Sequence, residues 1–156
     1  MRIDNIPREV FTDILFRAKA INRESIDGRC HGRRTDYKNG DWVYGLITRP
    51  HHSKYDFPAE MTNTDGISGI EVDYKTIGQY TGLTDINGNK IFEGDIVETM
   101  SIQEAYGTDK FYVRFVQGNF YACHGGTVWT LRSCAESVKV VGNIYDNPEM
   151  ISQDTQ

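Results

Sequence analysis

A chain of 156 residues with 38% apolar side chains, 25% charged side chains and a net charge of -5 has the length of one domain, and folding would bury roughly 70% of the surface its unfolded form exposes. Its mean hydropathy of -0.52 and isoelectric point near 5.3 predict a modest core. They exclude, as a default, broad electrostatic attraction to nucleic acid or anionic lipid. The sequence has no apolar run of the length a membrane-spanning helix needs.

The opening segment, MRIDNIPREVFTDILF, scatters charges where a secretion signal would be apolar, which predicts a cytoplasmic protein. Two periods compete over residues 7–20. Val10, Ile14 and Ala18 with Phe11 and Leu15 fit a helical stripe, whereas Ile14, Phe16 and Ala18 alternate with Leu15, Arg17 and Lys19. The expectation is a brief helical or irregular lead, then a strand at about Ile14 to Ala20. Residues 27–40, DGRCHGRRTDYKNG, are Gly-bearing, polar and basic and read as a loop.

Asn39-Gly40 then turns the chain into a strand, DWVYGLIT, in which Trp42, Tyr44 and Leu46 share a face. From Arg49 to Gly69 two prolines, two glycines and no sustained period predict a long surface excursion. Ile70 and Val72 alternate with Glu71 and Asp73 in a short strand. In DINGNKIFEGDIV, Asn87-Gly88 predicts a two-residue type I′ hairpin turn.

Further strands follow in KFYVRFVQ, FYAC, TVWTLR and SVKVVGNIY, with a turn at Gln117-Gly118-Asn119. Asn147-Pro148-Glu149 reads as the cap and first turn of a short terminal helix. Fifteen Gly against four Pro suit about seven short strands joined by turns, so the fold class is mainly β, a barrel or sandwich.

Four ordered segments together resemble the YopX family of phage and prophage proteins. They are FRAK (Phe16 to Lys19), WVYG (Trp42 to Gly45), TIGQYTGLTDINGNKIFEGDIV (Thr76 to Val97) and VVGNIYDNPE (Val140 to Glu149). The resemblance implies a single domain over 1–156: an N-terminal β part to about residue 74, a small Src-homology-3-like barrel over about 75–147, and a short helix and tail at 148–156. It implies a phage or prophage accessory protein and supplies no catalytic residue or cofactor to transfer. Within the shared motif, EGDIV reads as a bent strand start: Gly94 takes an unusual conformation, Asp95 bonds backbone amides, and Ile96 or Val97 re-enters the core.

Several residue sets invite chemistry and are answered by plainer readings. Cys30-His31, His51-His52, Cys123-His124 and Cys134 carry zinc-type donors. Neighbours in a strand point to opposite faces, so each pair offers one ligand, and buried thiols with exposed imidazoles are favoured over a metal site. A Cys nucleophile beside a His lacks any recognisable sequence context. Asp85, Asn87 and Glu93 suggest a calcium loop, but Gly88 stands fourth from Asp85 rather than sixth. Gly78 and Gly82 lack the Lys-Ser/Thr ending of a phosphate loop.

The remaining candidate is an anion or nucleic-acid contact made by Arg29, Arg33, Arg34 and Lys38, with Tyr37 and Trp42 beside them as stacking aromatics and Tyr44 following. The favoured expectation is a non-enzymatic protein-interaction or self-assembly module with no cofactor and no metal. Nucleic-acid binding through the basic loop is the alternative.

Overall fold

Alternation of apolar and polar side chains, period two, sets the strands of this protein. The computed structural model describes residues 14–21, 36–52, 58–99 and 110–151. The chain forms two compact units, Met1–Gln79 and Tyr80–Gln156, and each has its own cluster of buried apolar side chains.

The first unit contains β1 (Phe16–Lys19), β2 (Trp42–Arg49), β3 (Ala59–Asn63) and β4 (Ile70–Val72). They are antiparallel in the order β4-β3-β2-β1. Their inward side chains, Ala18, Val43, Ala59, Met61, Ile70 and Val72, form the core, and Phe16, Tyr37, Ile47 and Ile77 pack against it. Beyond β1 the chain continues to the outer edge of β4. Ala20 bridges Val72, the Ile21 amide donates to the Glu71 carbonyl (2.9 Å), and the Asp73 amide donates to the Lys19 carbonyl (2.8 Å).

Residues 49–69 are therefore not a simple excursion. β3 lies inside that span, with Ala59 and Met61 fully buried. Five residues, AEMTN, with only two apolar members give a pattern too short to register against Pro50, Pro58 and two glycines. The β3–β4 connection is organised by buried Asn63, whose side-chain oxygen accepts from the amides of Asp65 (3.1 Å) and Ile67 (2.8 Å). The helical lead expected before residue 14 lies outside the described residues.

β5 (Gly78–Thr84) begins by pairing Gly78 and Gln79 with β1 and then pairs Tyr80 and Thr84 with β6 (Lys90–Phe92). In the second unit β7 (Asp95–Glu98), β8 (Lys110–Val116), β9 (Asn119–His124), β10 (Thr127–Thr130) and β11 (Lys139–Asn143) form one antiparallel sheet ordered β10-β9-β8-β7-β11. A one-turn helix, α1 (Leu131–Cys134), and a 3-10 turn at Ala135–Ser137 connect β10 to β11. The core gathers Ile91, Val97, Phe111, Val113, Leu131 and Val138.

Three expectations change here. TVWTLR is strand only as far as Thr130; Leu131 turns into α1 and drops into the core, fully buried. The barrel expected over 75–147 is not closed: among the described residues β10 and β11 end opposite sides of the sheet order and do not pair, because a helical turn rather than a strand joins them. The terminal helix is a single 3-10 turn at Pro148–Met150. Asn147 does not cap it through its side chain, which instead accepts from the Asn143 amide (3.3 Å).

A fourth change concerns the turns. At Asn87-Gly88 only glycine takes a positive φ, +80°. The Gly88 amide bonds the Asp85 carbonyl, and the Asp85 amide bonds the Asn89 carbonyl (both 2.9 Å), so the loop has three residues, Ile86 to Gly88. That geometry is a β-turn followed by a left-handed residue. It prevails because the Asp85 carboxylate accepts from the Asn87 and Asn89 amides (2.8 and 2.9 Å) and wraps the chain around itself.

The two-residue type I′ pattern occurs instead at Gln117-Gly118, where φ is 49° and 86° and Val116 pairs with Asn119. Gln117 holds a left-handed conformation that costs a non-glycine residue roughly 1 kcal/mol and that asparagine tolerates better. Gln117→Asn is therefore expected to raise unfolding free energy by about 0.5 kcal/mol, read as a higher urea midpoint at unchanged slope. An unchanged or lower midpoint would contradict this account of the turn.

Candidate interaction surface

The residues singled out by sequence separate in the structure. Arg29, Arg33 and Arg34 lie outside the described residues. Tyr37 is half-buried, packs against the core of the first unit and accepts a hydrogen bond at its hydroxyl from the Asn63 side-chain amide (3.1 Å). Its role is structural. Lys38 is exposed, and its backbone amide donates to Asp41 Oδ2 (2.8 Å) within the turn that enters β2.

Trp42 lies on the opposite side of the sheet from Tyr37's core contacts. Val43 and Gly45 point inward and are buried, so Trp42, Tyr44 and Leu46 present an outer stripe, with Tyr44 39% and Leu46 52% exposed. The cations at Trp42 come from β1. The Arg17 guanidinium stands 4.6 Å from the indole centre and the Lys19 ammonium 5.3 Å, distances at which a cation is attracted to the ring face.

Sequence reasoning missed Arg17 and Lys19 as partners of Trp42. The available signal was their two-residue spacing in FRAK, which puts both on one face of a strand. The pairing of Lys19 with Trp42 and of Arg17 with Tyr44 needed the register. On the other flank of the stripe Leu46 pairs with Thr62, and Arg49 makes an ion pair with Glu60 (2.7 Å). Both groups of that pair are partly solvated, so it contributes at most about 1 kcal/mol.

Titratable groups in the second unit serve the fold. The Asp85 carboxylate is 5% exposed and accepts from four donors: the amides of Asn87, Asn89 and Val140 (3.0 Å for the last) and the Asn89 side chain (3.2 Å). Burial alone would raise its pKa, but these hydrogen bonds, led by Val140, outweigh it and hold the carboxyl below its ordinary value. Fully buried Asp95 accepts from the Phe92 amide (2.7 Å) across the Gly94 turn, where φ is +84°. That is the bent strand start expected of EGDIV.

Burial pushes the Cys123 and Cys134 thiols up, the Cys123 rise being partly offset by the positive charge of Arg114. Such thiols are protonated at neutral pH and poorly nucleophilic. Among the described residues no three His, Cys, Asp or Glu side chains gather as a metal-binding group. His51 lies flat on the Tyr74 ring at 4.0 Å beside a shallow depression of about 270 Å³ that Lys75 also lines. That is below the usual volume of a small-molecule site. No helix among the described residues is long and apolar enough to cross a membrane.

A mainly β architecture of two units, with an outward aromatic and aliphatic stripe on the first and most polar groups of the shared motif committed to turns, defines the class of protein. The family model described as YopX protein matches residues 19–152, and the chain belongs to that family. Among solved structures, protein EF1440 from Enterococcus faecalis is similar at 23% identity, over 72% of this chain and 91% of that one, with a TM-score of 0.46. No curated protein matches the chain.

Proposed function

We propose that this protein is a non-enzymatic accessory module encoded by a phage or prophage, working in the host cytoplasm through protein contacts and self-association. The observation that carries this reading is the Trp42, Tyr44 and Leu46 stripe, in which an aromatic and an aliphatic side chain stay exposed side by side on a regular sheet. Contiguous apolar surface is costly in water unless a partner covers it, and aromatic residues are enriched where partners do. The narrower Src-homology-3-like reading of the second unit, as an open sheet rather than a closed barrel, is supported by its meander from β7 to β10 and by the short helical turn before β11.

The test pairs the wild type with a Tyr44→Ser, Leu46→Ser double variant. The wild type is expected to associate with itself or with a phage-encoded protein in induced cells. The variant is expected to keep its circular dichroism and melting temperature while losing that association. A wild type that stays monomeric at every concentration and captures no phage-encoded protein removes the reading.

A second reading, contact with single-stranded nucleic acid, is favoured by Trp42 carrying two cations at its ring, with Lys38 and the Arg29, Arg33 and Arg34 loop preceding it. The net charge of -5 opposes it. Binding of this kind is weak and salt-dependent, because few phosphates are neutralised. Titration with single-stranded DNA or RNA at low ionic strength decides it: no binding, or an affinity unmoved by Arg33→Ala with Arg34→Ala, excludes it.

A further inference from the structure

We propose that Asn87 is a latent deamidation site, which Asp85 holds shut by accepting hydrogen bonds from three successive amides, those of Asn87, Gly88 and Asn89. When that clamp opens, the side chain converts to aspartate and isoaspartate. The modification belongs to the second unit and does not depend on the interaction surface of the first.

Asn followed by Gly is the pairing in which ring closure meets least hindrance, because glycine has no Cβ to obstruct its own nitrogen. The Gly88 nitrogen, having lost its proton to solvent base, attacks the carbonyl carbon of the Asn87 side chain. A C–N bond forms there, the bond to the side-chain nitrogen breaks, and ammonia leaves with a proton taken from water. Water then adds to either carbonyl of the resulting succinimide and breaks that carbonyl's bond to the Gly88 nitrogen, which regains a proton. One opening gives aspartate. The other gives isoaspartate, whose backbone runs through the side chain, and neither needs an oxidant or reductant.

The loop supplies the reactants and withholds the geometry. Ile86, Asn87 and Gly88 are exposed, so water reaches them, and among the described residues nothing lies within 4 Å of the position a Gly88 Cβ would take. Asp85 protects the site instead. Its carbonyl accepts the Gly88 amide (2.9 Å), and its carboxylate accepts the amides on either side, Asn87 (2.8 Å) and Asn89 (2.9 Å). Ring closure needs the Gly88 nitrogen without its proton, so the bond to the Asp85 carbonyl has to break first. The two flanking bonds resist the backbone movement that breaks it. The carboxylate also stays ionised at neutral pH, the raising effect of burial being outweighed by its hydrogen bonds, and a negative charge beside Gly88 opposes loss of the amide proton.

Once made, the modification keeps the clamp open. A new carboxylate at position 87 stands against Asp85, like charge against like, and isoaspartate lengthens the backbone of a short loop. Asp85 also receives the Val140 amide (3.0 Å), so β11 loses a tie to the loop. Asn39-Gly40 is a control within the same chain. The Gly40 amide donates to the Ala20 carbonyl (2.9 Å) of the first unit, with no bond to Asp85.

The experiment holds full-length wild type and Asp85→Ala at mildly alkaline pH, folded and in guanidinium chloride. Asn87 and Asn39 are followed by peptide mass spectrometry, with isoaspartate read by enzymatic methylation. Folded wild type is expected to deamidate at Asn87 roughly tenfold or more slowly than the unfolded chain, since reaction waits on local opening. Asp85→Ala is expected to recover most of that factor at Asn87 and to leave Asn39 as in the wild type. Equal Asn87 rates in folded and unfolded wild type overturn the proposal, and so does an Asp85→Ala rate matching the folded wild type. Should Asp85→Ala fail to fold, so that both asparagines speed up, amide exchange of the wild type decides. Gly88 exchange and Asn87 deamidation slowed by the same factor support the clamp, and a Gly88 amide that exchanges freely or is slowed by a different factor overturns it.

Discussion

Replacing Gly45 with alanine is expected to lower the unfolding free energy by about 3 kcal/mol, the range of overpacking in a fully occupied interior. Gly45 lies in the middle of β2, paired on one side with Phe16 and on the other with Asn63. A Cβ built there would overlap the Thr62 carbonyl oxygen and come to 2.8 Å from Asn63 Cα. Those atoms are backbone in a hydrogen-bonded strand, so no rotamer change relieves the overlap, and β2 must move away from β3.

For a chain of this length that loss corresponds to a fall in melting temperature of about 10 °C. Gly126→Ala is the matched control, since nothing lies within 4 Å of its added carbon and the expected change stays within about 0.5 kcal/mol. Equal melting temperatures for Gly45→Ala and wild type would show that β2 and β3 are not packed as described.

The second large effect is expected at Asp85, where substitution by alanine should cost about 3 kcal/mol, because it strips a charged acceptor from buried donors and leaves the Val140 amide without its partner. The effect depends on pH with a definite sign. Hydrogen bonding holds the folded-state pKa of Asp85 below the ordinary 3.8, so its contribution is fully present above that value. It is lost as the pH falls from there through the lower folded-state value.

Asp85→Asn separates the charge from the shape. The amide oxygen still accepts from the loop, but its nitrogen faces another donor, so this variant should be less damaging than alanine. It should also lack the Asp85 share of acid destabilisation. Urea unfolding of wild type and Asp85→Asn from neutral pH to well below 3.8 checks this. Parallel stability curves throughout that range would mean that Asp85 carries no depressed pKa.

The Asp85 effect belongs to a wider role of the segment from Thr76 to Val97 in the fold. Thr76 bonds the Asp73 carbonyl and receives the Lys19 amide. Thr81 bonds Ile91 across the β5–β6 irregularity. Asp85, Gly88, Gly94 and Asp95 make the turns. That long segment is thus occupied with backbone hydrogen bonding, and the exposed aromatic and aliphatic stripe lies on β2 instead.

Much of the strand content could be read from residues alone, because alternation is a local property. The β2 pattern, KFYVRFVQ, FYAC and the bent start at Gly94-Asp95 all carry their signal within a few positions. What alternation cannot say is which face a core will claim. Trp42, Tyr44 and Leu46 share a face, as their spacing requires, yet burial went to Val43 and Gly45; only packing against β1 and β3 settles that choice.

β3 stayed illegible because its burial comes from pairing with β2 and β4 rather than from its own few apolar residues. Asn87-Gly88 failed as a type I′ signal because a neighbouring carboxylate offered its amides a better geometry. The candidate surface followed the same division. Sequence singled out Trp42 and the loop before it, but the cations that meet the indole belong to a strand more than twenty residues earlier. Residue identity determined which chemistry was available, whereas long-range strand register decided which side chains meet, since registers are set by the burial of whole faces and not by neighbours in the chain.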